Sequence, residues 1–256
     1  MNNKVIYTCI VGGYDNLMQP GVIDDSFDYI CFSDDFQEKR IGVWEIRPIP
    51  YKNSNGTRKS RYVKLLPHEV LKEYDYSLWI DGNIRITGKE LYTIVDKAIA
   101  EGALMSGVAH PWNHCIYKEN AFCYIAKKIN LRTARRVRRY LVKEGMPRNR
   151  GLYENNIIFR KHNDGKIVKI DSEWWDEYQK ISQRDQLSLM LVLYRNNFTP
   201  SLLIDSNYCS RNVSFLSCID HSPSGKVYHG RKRKIYEFIQ RTNRRFRRIV
   251  ALFCLR

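Results

Sequence analysis

An α/β fold with a mostly parallel sheet flanked by helices is predicted by two observations over residues 4–109. Short β-branched apolar runs alternate with segments of helical period, the pattern of βαβ units. Three of those runs end in turn residues: Gly12-Gly13, Asp34-Asp35 and Asp81-Gly82-Asn83. In parallel sheets, ligands bind at the carboxyl ends of strands, which makes these turns the first place to look for a site.

Residues 4–11 read as a buried strand stopped by the glycine pair, and 27–32 as a second strand stopped by Ser33-Asp34-Asp35. Residues 43–49 alternate Val, Glu and Arg with Trp, Ile and Pro, as an edge strand does. The period then changes over 57–71, where Tyr62, Leu65, Leu66, Glu69 and Val70 share a helical face and Pro67 marks a break or kink. A strand follows at 76–80, a helix at 88–100 and a strand at 104–109. The second half continues with a helix over 119–142, a strand over 156–160 and a helix over 183–194. A core domain of residues 1–230 and a helical tail of 231–256 are expected.

Composition narrows the class. A hydrophobic fraction of 43% with 12% aromatics describes a globular chain, and 256 residues can bury a large core. The seven cysteines are odd in number, scattered and without a C-x-x-C pair, which argues against a zinc ribbon or a disulfide framework. A reducing, cytoplasmic setting is expected. The start shows no signal peptide, and no apolar run reaches the roughly 20 residues that span a bilayer. The net charge of +16 is local: dense Lys/Arg blocks occupy 127–150 and 231–256, the latter with ten basic residues against Glu237 alone. In the tail, apolar residues from Ile235 to Phe253 interleave with arginines, as in a helix lying on an anionic membrane at the inner face of the cell membrane, or in a solvated helix packed on the body. Nucleic-acid binding suits the charge, but no motif supports it.

Read residue by residue, each candidate has two meanings. Asp81-Gly82-Asn83 is a functional strand end or a simple turn, with Asp81 as cap and Gly82 supplying positive φ. Gly12-Gly13 either lets backbone approach a ligand or only turns the chain. Asp34 and Asp35 could bind a ribose or base edge, or be solvated turn residues. Arg61 and Lys64 lie three apart and share a helix face that could address a diphosphate. Asp185, in Arg184-Asp185-Gln186 ahead of an apolar helix, is a catalytic carboxylate or an N-cap. His110 and His114 are separated by Pro111, against a helical metal pair, so His110 is read as pocket-lining or structural. Trp174-Trp175 reads as core or as a lid hinge.

Together these segments resemble a glycosyltransferase-like family once catalogued as a domain of unknown function, found in bacterial polysaccharide loci and among plant Golgi proteins. The matching stretches keep their order from Tyr7-Thr8-Cys9-Ile10-Val11-Gly12-Gly13 through Trp79-Ile80-Asp81-Gly82-Asn83 to Arg184-Asp185-Gln186-Leu187-Ser188. The resemblance implies a GT-A-like, Rossmann-related fold and transfer of a sugar from a nucleotide-sugar donor to a glycan or lipid-linked glycan acceptor. It implies donor contacts at Gly12, Gly13, Asp34, Arg61, Lys64, Asp81 and Asn83, and acceptor contacts at His110, Glu119 and Glu154. GT-A enzymes commonly hold a divalent cation, Mn or Mg, with Asp-x-Asp; here Asn83 replaces the second acid. Asp81, Asn83 and a C-terminal histidine, His221 or His229, are the ligands implied. Asp185 would be the general base of an inverting enzyme, or would position sugar or acceptor in a retaining one. The alternative is a non-catalytic protein whose basic faces hold nucleic acid or an anionic membrane.

Overall fold

The computed structural model describes residues 2–219 and 230–255, the last of these segments by backbone alone over 230–241. His221 and His229 therefore lie outside the described residues. In chain order the elements are β1 (Lys4–Cys9), β2 (Phe27–Phe32), β3 (Arg40–Ile41), β4 (Trp44–Arg47), α1 (Gly56–Leu65), α2 (Pro67–Val70), β5 (Tyr76–Ile80) and β6 (Ile84–Ile86). There follow α3 (Glu90–Ala100), β7 (Met105–Ala109), α4 (Ile116–Ile125), α5 (Leu131–Lys143), β8 (Tyr153–Arg160) and α6 (Gly165–Ile181). The chain ends with α7 (Leu189–Arg195), β9 (Ser201–Leu202), β10 (Leu216–Cys218) and α8 (Gly230–Cys254).

The α/β class and the mostly parallel sheet are as expected. The main sheet has the order β3-β4-β2-β1-β5-β8-β7-β9. β1 runs parallel to both β2 and β5, and only β8 and the two-residue β3 run against their neighbours. After β1 the chain builds outward through β2 and β4, then returns to place β5 on the other side of β1. That reversal opens a crevice at the carboxyl ends of β1 and β5.

Both faces of the sheet are covered, which is why β1, β2 and β5 read as near-continuous apolar runs. Alternate residues serve opposite cores. Val5, Tyr7 and Trp79 pack with α1, α4, α5, α6 and α7, while Ile6, Leu78 and Ile80 pack with α3 and the β6–β10 ribbon.

Several boundaries differ from the sequence reading, each for a local reason. The helix expected over 119–142 is two helices, broken where Lys127 takes φ 61° and restarted by Asn130, whose side chain accepts from Thr133 N. At Pro67, where a break or kink was expected, the helix breaks fully, with Leu66 at φ −121° and ψ 56°. The helix expected from 183 opens as a tight turn over Asp185–Leu187, and α7 begins only at Leu189. Strand β4 is not the sheet edge, because β3 pairs outside it. Helix α6, β9 and the β6–β10 ribbon are additions to the expected elements.

Candidate functional site

The crevice is walled by the turns that follow β1 and β5. Gly12 and Gly13 take φ +72° and +60°, the left-handed region where glycine carries no penalty, and Gly13 N–H donates to Asp35 at 3.0 Å. Across from them, Ile84 N–H closes the Asp81-Gly82-Asn83 turn on Asp81 O at 2.9 Å. Asp81 Oδ1 accepts from Trp79 Nε1 at 2.7 Å and from Lys64 Nζ at 3.1 Å. Asn83 is fastened to the residue after β10: its side-chain Nδ2 donates to Ile219 O at 2.9 Å and its backbone carbonyl accepts from Ile219 N–H at 2.9 Å.

Lys64 is the centre of the site. Its side chain is 1% exposed, and its ammonium bridges Asp81 to Asp185 Oδ2 at 2.9 Å. Arg61, one helical turn earlier, reaches Asp185 Oδ1 at 3.3 Å. Asp185 is held from behind as well, because buried Trp174 donates to its carbonyl at 3.2 Å. Trp174 is thus core, of the two readings its sequence allowed. Burial alone would push the Asp185 carboxyl up. Arg61, Lys64 and Arg184 outweigh it and hold the acid well below the usual carboxylate range. Nor is Asp185 an N-cap: the α7 cap is Ser188.

Two cavities meet at this network. One, of about 230 Å³, is lined by Lys64, Asp81 and Asp185 together with His110, Glu119 and Glu154. The second, of about 490 Å³, runs past Gly12, Asn55 and Ser60. Arg61, Asp81 and Arg184 line both. Asp34 lines neither cavity. It pairs with Lys59 at 2.6 Å and accepts from Ile49 N–H at 3.2 Å, and these contacts lower its pKa against the upward push of burial.

The acceptor-side candidates have distinct surroundings. His110 Nδ1 accepts from the backbone N–H of Asn113 at 3.0 Å, which assigns the ring proton to Nε2, 3.7 Å from Glu119. Burial lowers the His110 pKa despite Glu119 and Glu154, so the imidazole is neutral at pH 7. Glu119 is 3% exposed and accepts from Asn113 Nδ2 at 2.6 Å. Glu154 is committed to a neighbouring loop: it accepts from Ser210 Oγ at 2.9 Å and pairs with Arg211.

Residues without a role in the sequence reading also line these cavities. Arg184 joins the two cavities, and Trp112, 68% exposed, stands at the rim with the Arg211 guanidinium 5.6 Å from its ring. Arg184 sits beside Asp185 in the sequence and Trp112 beside Pro111. Adjacency to a singled-out residue was the one signal available for either.

The donor set for a metal is small. One Asp81 oxygen is already taken by Lys64 and Trp79, which leaves Oδ2 and the Asn83 amide oxygen at this turn. No group of three or more His, Cys, Asp or Glu converges on a metal position among the described residues. Such a pair fits a hard cation only if phosphate oxygens complete its shell, the way magnesium is often held.

All seven cysteines are free, and no helix among the described residues is long and apolar enough to cross a membrane. Over 187 residues the chain is 25% identical to "Probable hexosyltransferase MUCI70" of Arabidopsis thaliana, covering 65% of this chain and 31% of that protein. The chain thus spans about a third of the plant relative. Solved structures resembling it include the bifunctional glycosyltransferase WbbM, in its apo form, at 9% identity, with 79% of this chain and 38% of that one covered and a TM-score of 0.42. Mouse xyloside xylosyltransferase 1 aligns at 10% identity, 78% and 84% coverage and a TM-score of 0.44. Galactosyltransferase LgtC aligns at 11%, with 76% and 70% coverage and a TM-score of 0.42. All three are distant likenesses. Residues 1–213, which include Lys64 and its partners on both turns, match the family described as TOD1/MUCI70, glycosyltransferase-like domain, and the chain belongs to that family.

Proposed function

We propose that the chain transfers a hexosyl group from a nucleotide-sugar donor to a glycan acceptor. The observation that carries this reading is the meeting of two cavities at Arg61, Asp81 and Arg184, over the buried Lys64. The nucleotide would follow the cavity past Gly12 and Asn55, where a glycine turn leaves backbone accessible. Its diphosphate would cross Arg61 and Arg184, and the sugar would enter the cavity walled by His110 and Glu119.

Negative charge grows on the diphosphate as the glycosidic bond breaks. Preorganised cations at that point stabilise the leaving group without reorganising. A divalent cation held by Asp81 Oδ2, Asn83 and phosphate oxygens would add Lewis-acid stabilisation there. Asp185 suits the positioning role better than the basic one, because a carboxylate so strongly stabilised as an anion is a weak proton acceptor. Its two oxygens fix the Lys64 ammonium and the Arg61 guanidinium. His110 Nε2–H is turned toward Glu119 in the same cavity, where it can donate to a sugar hydroxyl. The acceptor is proposed to be a cell-surface glycan of capsule, O-antigen or lipopolysaccharide type, built at the cytoplasmic face of the membrane.

The test is thermal stabilisation and hydrolysis with a panel of UDP-, GDP- and CMP-sugars, with manganese and with chelator. One donor should stabilise the protein and be turned over. Replacing Arg184 by Met should reduce kcat/KM on the order of a hundredfold. No response to any donor, or an Asp81→Ala variant indistinguishable from the parent, would overturn the reading and leave a binding protein.

A further inference from the structure

Over its described side chains, 242–255, helix α8 docks on the body by one stripe. Ala251 and Leu255 are buried against Tyr124 and Ala134. Arg247 donates to Tyr124 O at 2.7 Å, and Arg135 of α5 reaches Cys254 Sγ at 3.0 Å. Residues 247, 250, 251, 254 and 255 have the spacing of a packed helical face. The face turned away from the body carries Phe246, Ile249, Leu252 and Phe253, exposed by 64, 53, 50 and 84%. Four large apolar side chains left in water within two turns mark an interaction surface.

The charge around that ridge has one sign. Arg244, Arg245 and Arg248 are exposed beside it, and α5 adds exposed Arg132, Arg135, Arg136 and Arg139. Neither 131–143 nor 242–255 contains an acid. We propose that α5 and α8 form a docking surface for an anionic phospholipid bilayer. An apolar ridge at the acyl boundary with arginines at the headgroups satisfies both halves of this surface. A nucleic acid would engage the arginines but leave the ridge in water. A second copy would bury the ridge at the cost of opposing like charges.

The surface is connected to the catalytic cavity through α4. That helix presents Glu119 and Phe122 to the cavity and Tyr124 to α8, and Lys128 just beyond it also lines the cavity. A bilayer against α8 would therefore lie beside the acceptor compartment, which makes a lipid-linked acceptor the substrate class. This last step rests on the transferase reading; the docking itself does not.

The experiment is flotation of the full chain with vesicles of phosphatidylcholine alone or mixed with phosphatidylglycerol, without sugar donor, so that it is independent of activity. Binding is expected to the mixed vesicles only and to weaken with salt. Replacing Arg244, Arg245 and Arg248 by Ala should lower the partition coefficient roughly a hundredfold. Phe246→Ser with Phe253→Ser should abolish flotation while the circular dichroism spectrum and donor-dependent thermal shift stay unchanged. Equal binding to neutral vesicles, no loss in either variant, self-association that vanishes with the Phe substitutions, or salt-sensitive retention of nucleic acid in place of vesicles would each overturn the proposal.

Discussion

Replacing Lys64 by Met removes one charge and almost no volume, so it isolates the electrostatics of the site. Lys64 Nζ is 2.9 Å from Asp185 and 3.1 Å from Asp81, with the ammonium out of contact with water. At an effective dielectric of about 20, the first pair alone is worth about 6 kcal/mol of Coulomb attraction. Desolvation of both ions offsets part of that in the parent protein. The variant keeps the desolvated Asp185 and loses one of its cations, so a net loss of about 3–5 kcal/mol is expected. The pH dependence carries a sign. In the parent, Asp185 is held below its ordinary value, so it stabilises the fold above the unfolded carboxylate pKa of about 3.9 and loses that stabilisation as the pH falls. In the variant the upward push of burial meets Arg61 and Arg184 without Lys64, and the carboxyl titrates at higher pH. The deficit relative to the parent should therefore shrink as the pH drops toward about 4. Urea unfolding followed by circular dichroism at several pH values measures this. Adding Asp185→Asn should recover about 2 kcal/mol, the coupling expected of neighbours in one network. A loss under about 1 kcal/mol, flat with pH and additive with Asp185→Asn, would refute the buried network and leave a solvated surface pair.

Two further outcomes are expected. His162 is fully buried, with Nε2 2.9 Å from Leu71 O, and burial together with Arg160 and His68 lowers its pKa to about 4. Between pH 6.5 and 4 the unfolded chain takes up a proton the folded one refuses, so stability should fall by about 3 kcal/mol over that window, and His162→Gln should flatten it in urea titrations. Gly12→Ala and Gly13→Ala each place a Cβ that meets nothing within 4 Å, so the cost is the left-handed backbone alone, about 1 kcal/mol apiece. Only Gly12, which lines the second cavity, should also weaken donor-dependent thermal stabilisation.

The sheet was legible in the sequence because its strands are buried on both faces, and apolar runs such as those of β1 and β5 need no alternation to be recognised. The turns after them were legible because Gly12, Gly13 and Gly82 punctuate the chain. Helix α6 was harder to see. Its buried stripe of Ile167, Ile170, Trp174, Tyr178 and Ile181 has helical spacing, and Asp164 caps it by accepting from Lys166 N–H at 2.9 Å, but Lys, Asp and Glu fill the intervening positions. The break between α4 and α5 was marked by the Asn130 cap alone, since Lys127 takes positive φ without being glycine. Within the site, Arg61, Lys64, Asp81 and Asp185 were each nameable singly. That Lys64 bridges the two acids was not, because Asp81 and Asp185 come from opposite halves of the chain. Glu154 shows the same limit: its partners Ser210 and Arg211 lie 56 and 57 residues away, so its loop-fastening contacts leave no local trace.

The position of Lys64 also explains a buried arginine that the sheet alone does not require. Arg160 and Asp171 are fully buried and paired at 3.0 Å, an arrangement that apolar residues of similar size could replace without loss of stability. Arg160 has a second contact, however: it donates to Lys64 O at 2.6 Å, where Tyr7 OH also donates at 3.3 Å. Lys64 is in the last turn of α1, where carbonyls have no partner within the helix, and the turn is already disturbed by Pro67. The guanidinium thus supplies the cap that the helix end lacks. It ties the backbone of Lys64 to β1, β8 and α6 at once, while the side chain of the same residue reaches β5 and the Asp185 turn. An ammonium that must stay within hydrogen-bonding distance of two acids from different elements needs its own backbone fixed first. The buried ion pair accomplishes this from the interior side of the sheet, where no ligand or solvent can compete for the carbonyl.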